Sequence, residues 1–297
     1  MFDRMMGQFL VDTGRIGKGQ LVEVYKKQTE SRAKLGVIAV SERLITIAQA
    51  EEINALQAVE DKRFGDIAIE RGYLNEAQLA RLIDLQGNEF MVFSQTLIDM
   101  GYITMDELTE AIKEFQTKNG LLESDIATLK SGDMNRIVDI FVDGSDKYKQ
   151  LFSMGVRDLY RLVDSNLWIG KTFTTTNIKY EALGYQKIHG DESVFLAIAG
   201  GYEDIQMVAK AYTKEPFIET EEDALDAVCE LINCINGLYV SERSREHVFM
   251  DLEPPVYSTT YSSVSSEEVI VMPVYICNGE VKFLISVGKA AAVKVTN

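Results

Sequence analysis

Asp226-Ala227-Val228-Cys229-Glu230-Leu231-Ile232-Asn233 is the stretch from which the C-terminal half of the chain can be read. It lies in a segment from Thr220 to about Val240 with two helical stripes. Leu225, Val228, Ile232, Ile235 and Tyr239 repeat at helical spacing and form an apolar stripe that must face a core. Asp226, Glu230, Asn233 and Gly237 follow at i, i+4, i+7 and i+11, nearly opposite. Glu230 and Asn233, three residues apart, therefore sit side by side on an exposed face, and Gly237 leaves room beside them. Thr220 suits a helix N-terminus, and Glu221, Glu222 and Asp223 in the first turn suit the helix dipole. The same pattern also suits an ordinary solvated helix face.

Around this helix the sequence mixes helices and strands. Leu151 to Val163 is amphipathic, and Glu203 to Tyr212 reads as a helix. Residues 172–178 and 193–200 are β-like. Val269–Cys277 and Glu280–Val287 read as a hairpin across Asn278-Gly279, with Pro273 marking an edge or bulged strand. The expectation is an α/β layer domain with a largely antiparallel sheet over 149–297.

The N-terminal part repeats at a period of 29 residues. Gly7, Gly36, Gly65 and Ser94 fall in register, followed by Gly14, Arg43, Gly72 and Gly101. Leu21, Ala50, Leu79 and Leu108 align, as do Gln28, Gln57 and Gln86, with Phe115 in the fourth copy. Each copy reads as a helix, a glycine-marked turn and a second helix; Asn75 is an expected N-cap and Gly72 an expected helix stop. One helix pair cannot bury its apolar face alone, so four copies must pack on one another. The predicted organisation is an all-α repeat module at 1–118, a linker at 119–148 and the α/β domain. Within the linker, residues 135–142 read as a short helix and Asp143-Gly144-Ser145 as a turn.

Composition excludes several classes. The 297-residue chain carries 30 Lys and Arg against 46 Asp and Glu, a net charge of −16. Such a charge disfavours a nucleic-acid polymer, whose phosphates demand Lys and Arg. From Asn119 onward there are 16 basic against 27 acidic residues, so a basic partner surface is favoured there. Cys229, Cys234 and Cys277 show no metal-ligand spacing, and two histidines make a His-rich metal site or a Ser-His-Asp triad an unexpected reading. No apolar run reaches the ~18 residues needed to span a bilayer. With a start that lacks signal-peptide order, a cytoplasmic protein is expected.

Asp226, Glu230, Asn233 and Pro255, which follows Asn233 after 21 intervening residues, resemble the Asp/Ser-x3-Glu-x2-Asn-x21-Pro motif of the CheC/CheX/FliY chemotaxis phosphatases. The Asn236-Gly237 pair that follows suits the family too. Residues 151–163 hold no Glu-x-x-Asn, so one site is present, as in CheX rather than the two-site CheC. The resemblance implies hydrolysis of phosphoaspartate on a phosphorylated CheY-like response regulator. Asn233 would orient the water, and Glu230 would pair with the regulator's active-site lysine. Asp226, Gly237 and Pro255 would support the site. It implies no cofactor of the chain's own, Mg2+ on the regulator, and a homodimer through strand pairing. The competing reading is a non-enzymatic adaptor that docks signalling partners.

The repeats in turn resemble the N-terminal domain of type II secretion and type IV pilus ATPases (GspE N-terminal, MshEN), some members of which bind cyclic di-GMP. Copy three matches most closely, and the resemblance implies a nucleotide site using Arg63, Gly65, Gly72 and Gln86. The other copies depart from the pattern: Met5, Lys34 and Val92 stand where the arginine is expected, and Arg43 replaces the second glycine. Either copies three and four or copies two and three would make one site. A helical repeat that only packs, or binds a protein, fits the same residues.

Overall fold

The computed structural model describes residues 1–28, 33–60, 62–215, 218–288 and 294–296. The chain divides into two compact units, Met1–Asp133 and Met134–Asn297.

The first unit is helical: α1 (Phe2–Asp12), α2 (Lys18–Gln28), α3 (Leu35–Ser41), α4 (Ile47–Glu60), α5 (Phe64–Glu70), α6 (Glu76–Asp84), α7 (Glu89–Asp99), α8 (Met105–Lys118) and α9 (Glu123–Ser131). Helices α2, α4, α6 and α8 each begin 29 residues after the last, and α1, α3, α5 and α7 end at the same interval. The turns between them repeat one hydrogen-bond pattern. The N–H groups of Arg15, Leu44, Tyr73 and Tyr102 donate to the carbonyls of Leu10, Ala39, Ala68 and Leu97. This closure needs a left-handed residue at the helix end. Gly14, Gly72 and Gly101 supply it, and in copy two Arg43 adopts φ +57° in place of glycine. At the starts of α2, α4, α6 and α8, Gln20, Gln49, Gln78 and Glu107 accept the N–H of Gly17, Thr46, Asn75 and Thr104. Side-chain caps at this interval tie the period to backbone chemistry as well as to packing.

The stretch 119–148 is not a linker. It carries α9, whose Ile126 and Leu129 are buried, then the start of the second unit. Helix α10 (Met134–Phe141) packs against α11 (Asp146–Leu162). The Phe141 carbonyl accepts both the N–H and the hydroxyl of Thr172. The second unit thus begins about fifteen residues before the expected position, because Ile137 and Val138 are fully buried in it.

The sheet of this unit comprises β1 (Trp168–Ile169), β2 (Phe173–Tyr180), β3 (Ala182–Gly190), β4 (Val194–Gly200), β5 (Met250–Leu252), β6 (Val256–Ser258), β7 (Ser262–Ile276), β8 (Gly279–Val287) and β9 (Lys294–Thr296). Its order is β1-β7-β8-β4-β3-β5, with β2 and β9 also on β7 and β6 on β3, and every described pairing is antiparallel. The strands curl so that Leu183, Phe195, Ala197, Leu284, Val264 and Val271 meet in one apolar cluster. The other face carries α11, α12 (Tyr202–Thr213) and α13 (Glu221–Arg245). Both faces being covered, every residue of β4 is buried.

The hairpin turn differs from the expected one by a residue. Ile276 pairs with Gly279, leaving Cys277 and Asn278 at the turn with φ +53° and +64°. The Asp164 carboxylate accepts the Cys277 N–H at 2.9 Å, a tertiary contact that outweighs the local preference for Asn-Gly. Among the described residues no helix is long and apolar enough to cross a membrane.

Helix α11 meets β8 at Gly155, where an added Cβ would lie 2.1 Å from the Phe283 ring. That ring is fully buried and packs edge-on against Phe152, so it has no free direction to yield. Gly155→Ala is therefore expected to destabilise the second unit by about 1–3 kcal/mol, read as an earlier denaturant transition.

Candidate functional site

Helix α13 is capped by Thr220, whose hydroxyl accepts the Asp223 N–H, and runs for 25 residues. Leu225, Val228, Ile232, Ile235 and Tyr239 are fully buried, whereas Asp226, Glu230 and Asn233 are exposed. The helix lies across β3, and glycine is needed where the two approach. A Cβ at Gly184 would stand 3.3 Å from Cys229 Sγ and 3.4 Å from the Val228 side chain.

Two residues along β3 on this face comes Gln186, only 1% exposed and polar in an otherwise apolar seam. Burying a primary amide is costly unless its groups are bonded. Gln186 Nε2 donates to Asn233 Oδ1 at 2.8 Å and to the Glu253 backbone carbonyl at 2.8 Å. Its Oε1 accepts from Nδ2 of the fully buried Asn236 at 2.9 Å. Asn233 is thus held by its oxygen, leaving its two N–H donors free to face outward. Sequence reasoning missed Gln186 because the two glycines of β3 hide the strand; the second asparagine, Asn236, was the available sign of a polar contact beneath the helix.

Glu253 precedes Pro254 and Pro255, which separate β5 from β6. Ile188 pairs with Leu252 and Tyr185 with Val256, so Gln186 and Lys187 face three edge residues, a one-residue bulge. Neither proline can donate to the sheet. Pro255 thus shapes the loop whose Glu253 carbonyl accepts from Gln186 in the Asn233 network.

Glu230 and Asp226 have no ion pair among the described residues. Near Glu230, Tyr212 of α12 lies 3.5 Å from Cys234 Sγ. The Tyr212 hydroxyl is pushed up to about 12 by its bond to Cys234, by partial burial and by the charge of the nearby Glu230. The Cys229 thiol is pushed up to about 12, mainly by burial and secondly by Asp226, so it stays protonated and unreactive at neutral pH. No cluster of metal-ligating side chains occurs among the described residues.

The four N-terminal candidates do not converge. Arg63 is fully solvated and pairs with Asp66 at 3.2 Å. Gly65 is filled against, an added Cβ standing 2.7 Å from Leu79, and Gly72 is a turn residue with φ +70°. Gln86 alone of the four lines a cavity of about 390 Å3. Its other walls include Lys34, Gly36 and Gln57, the copy-two equivalents of Arg63, Gly65 and Gln86, together with Phe64.

A family model for the chemotaxis phosphatase CheX matches residues 182–274, from β3 into β7, so the second unit carries a CheX-like domain there. Solved structures similar to this chain include a chemotaxis protein CheX from Desulfovibrio desulfuricans, with 18% identity, 47% of this chain, 97% of that chain and TM-score 0.41. A putative chemotaxis protein from Desulfovibrio vulgaris Hildenborough has 16% identity, 49% and 99% coverage and TM-score 0.43. The CheX–CheY–BeF3–Mg2+ complex from Borrelia burgdorferi has 17% identity, 51% and 99% coverage and TM-score 0.40. No curated protein matches the chain.

Gly237 is the remaining motif position on the α13 face, and a Cβ there would meet nothing within 4 Å. Glycine inside a helix costs about 0.5–1 kcal/mol against alanine. Gly237→Ala is accordingly expected to stabilise the unit by about that amount, read as a higher denaturant midpoint; an unchanged or lower midpoint contradicts the open surface described for this position.

Proposed function

We propose that the second unit is a phosphatase that hydrolyses the phosphoaspartate of a CheY-like response regulator. The observation that carries this reading is one exposed helix face with a carboxylate, Glu230, that has no ion pair among the described residues, beside an amide, Asn233, whose donors point outward. The match of residues 182–274 to the chemotaxis phosphatase CheX supports it.

In this reading the electrophile, its aspartyl group and the Mg2+ that neutralises phosphoryl charge all come with the regulator. The chain then has only to position. A water in line with the phosphorus has a lone pair left to accept a hydrogen bond, and Asn233 Nδ2 offers one. Glu230 takes the cationic side chain that flanks a phosphoaspartate and fixes the approach. Phosphoryl transfer depends mainly on alignment and charge stabilisation, so two such groups suffice to accelerate it.

The test is turnover of a phosphorylated CheY-like regulator from the same organism. Asn233→Ala is expected to lower kcat about a hundredfold or more with little change in KM, since it removes a contact made to the attacking water. Glu230→Gln is expected to act chiefly on KM. Failure of the wild-type chain to accelerate hydrolysis on any of the organism's regulators would reject the phosphatase and favour a docking adaptor.

A second reading concerns the first unit. The cavity bounded by Lys34, Gly36, Gln57, Phe64 and Gln86, with Glu51 also in its wall, places a lysine that pairs with Asp99 at 2.9 Å, two amide side chains and an aromatic ring around one space, a set that suits a cyclic dinucleotide such as cyclic di-GMP if the ligand draws Lys34 from Asp99. Calorimetric titration is expected to show binding by the wild-type chain that Lys34→Ala weakens; no heat at any accessible concentration assigns the repeats to packing or protein contact.

A further inference from the structure

We infer that Gln186 is a positioning residue that fixes which end of the Asn233 amide faces a bound phosphoryl group, and that the Glu253 carbonyl sets the direction. The inference rests on the phosphatase reading for its consequence, but its geometry stands on the fold alone.

The argument starts from a group whose polarity cannot change. A backbone carbonyl only accepts, so the Gln186 atom 2.8 Å from Glu253 O must be Nε2. The same nitrogen then points its second hydrogen at Asn233, which must answer with Oδ1, at 2.8 Å. The other end of Gln186, its Oε1, requires a donor and receives Asn236 Nδ2 at 2.9 Å. Reversing any one amide in this chain would set donor against donor or acceptor against acceptor at the buried Gln186 side chain. Gln186 and Asn236 are both buried, so no solvent can relieve such a clash. A surface asparagine without this support would present its oxygen and its nitrogen about equally. Here the outward end is the donor.

That end decides the chemistry. A water poised for in-line attack can accept a hydrogen bond from Nδ2 while keeping a second lone pair toward phosphorus. Were Oδ1 outward, it would orient the water by a hydrogen instead and would face the negative phosphoryl oxygens with an acceptor. The bulge at Glu253-Pro254-Pro255 belongs to the same device, since it aims a main-chain carbonyl at a side chain beneath the helix. Pro255, 22 positions beyond Asn233 in sequence, thus acts on Asn233 through Glu253 and Gln186.

Two measurements on the full chain test this. The first is exchange of the side-chain amide hydrogens with water, followed by NMR. Both Gln186 Nε2 hydrogens are expected to exchange slowly and those of Asn233 Nδ2 rapidly; fast exchange at Gln186, or protection at Asn233, overturns the inference. The second is turnover of the phosphorylated regulator by Gln186→Met, which keeps the volume and removes the donors, with folding checked by circular dichroism. The expected result is a fall in kcat on the order of tenfold to a hundredfold at nearly unchanged KM. A folded Gln186→Met chain with wild-type kcat, alongside an inactive Asn233→Ala chain, also overturns it. Should Gln186→Met not fold, Gln186→Glu serves the same comparison and the exchange pattern decides. Wild-type chain inactive on every regulator defeats the phosphatase reading alone, and the amide order is then judged on exchange.

Discussion

The carbonyl of Glu253, aimed beneath α13 rather than along a strand, gives the site its direction. Apolar burial decides where the helix lies: each fully buried stripe residue is worth about 1.5–3 kcal/mol, against about 0.5–1.5 kcal/mol net for one hydrogen bond. Leu225, Val228, Ile232, Ile235 and Tyr239 therefore dock the helix whatever Gln186 does. Packing, however, does not distinguish the two ends of an amide. Only an acceptor that cannot become a donor does so, and the chain of Glu253, Gln186 and Asn233 passes that asymmetry to the surface.

The device has to sit at an edge of the sheet. In the interior, strands β4 and β8 pair without a break along seven residues and leave no main-chain carbonyl to spare. Strand β3 has β4 on one side and only the short β5 and β6 on the other, parted by three residues of which Pro254 and Pro255 lack an N–H. The curl of the sheet buries Leu183 and packs the half-buried Tyr185 on its far side, so Gln186 has no alternative to facing the helix. One residue of slip in β3 would exchange Gln186 for Tyr185 or Lys187 beneath Asn233. The β-bulge, the alternation of β3 and the helix crossing are thus one constraint seen at three levels.

How much of this the sequence reveals depends on whether the signal is periodic. The α13 stripes are legible because burial on one side and exposure on the other recur over about four turns, from Leu225 to Tyr239. The helical period of the first unit is legible for the same reason, and the glutamines at 20, 49 and 78 extend it to capping. Strand β3 is not legible: Gly184 and Gly190 have poor strand propensity, and the glycine at 184 is explained only by the closeness of Cys229. Helix α9 escapes because two buried residues, Ile126 and Leu129, are too few to establish a period. The face of α13 was readable as Glu230 and Asn233 side by side; the direction of the Asn233 amide was not, since it is set by residues 47 positions earlier and 20 positions later.

The groups that α13 presents also limit what such a face can do. A carboxylate with no ion pair among the described residues and an amide with outward donors can pair with a cation and hold a water, but neither is a nucleophile. The one thiol tucked under this face, Cys229, is held protonated by burial beside Asp226. Rate enhancement from positioning alone requires that geometry be fixed before the partner arrives, because a group free to rotate spends part of its time in the wrong orientation. In the proposed phosphatase reading, Glu230 is steered by the regulator it meets and can tolerate mobility. Asn233 has to distinguish two nearly isosteric ends, so the fold spends a buried glutamine, a buried asparagine and an interrupted edge strand on that residue and not on its neighbour.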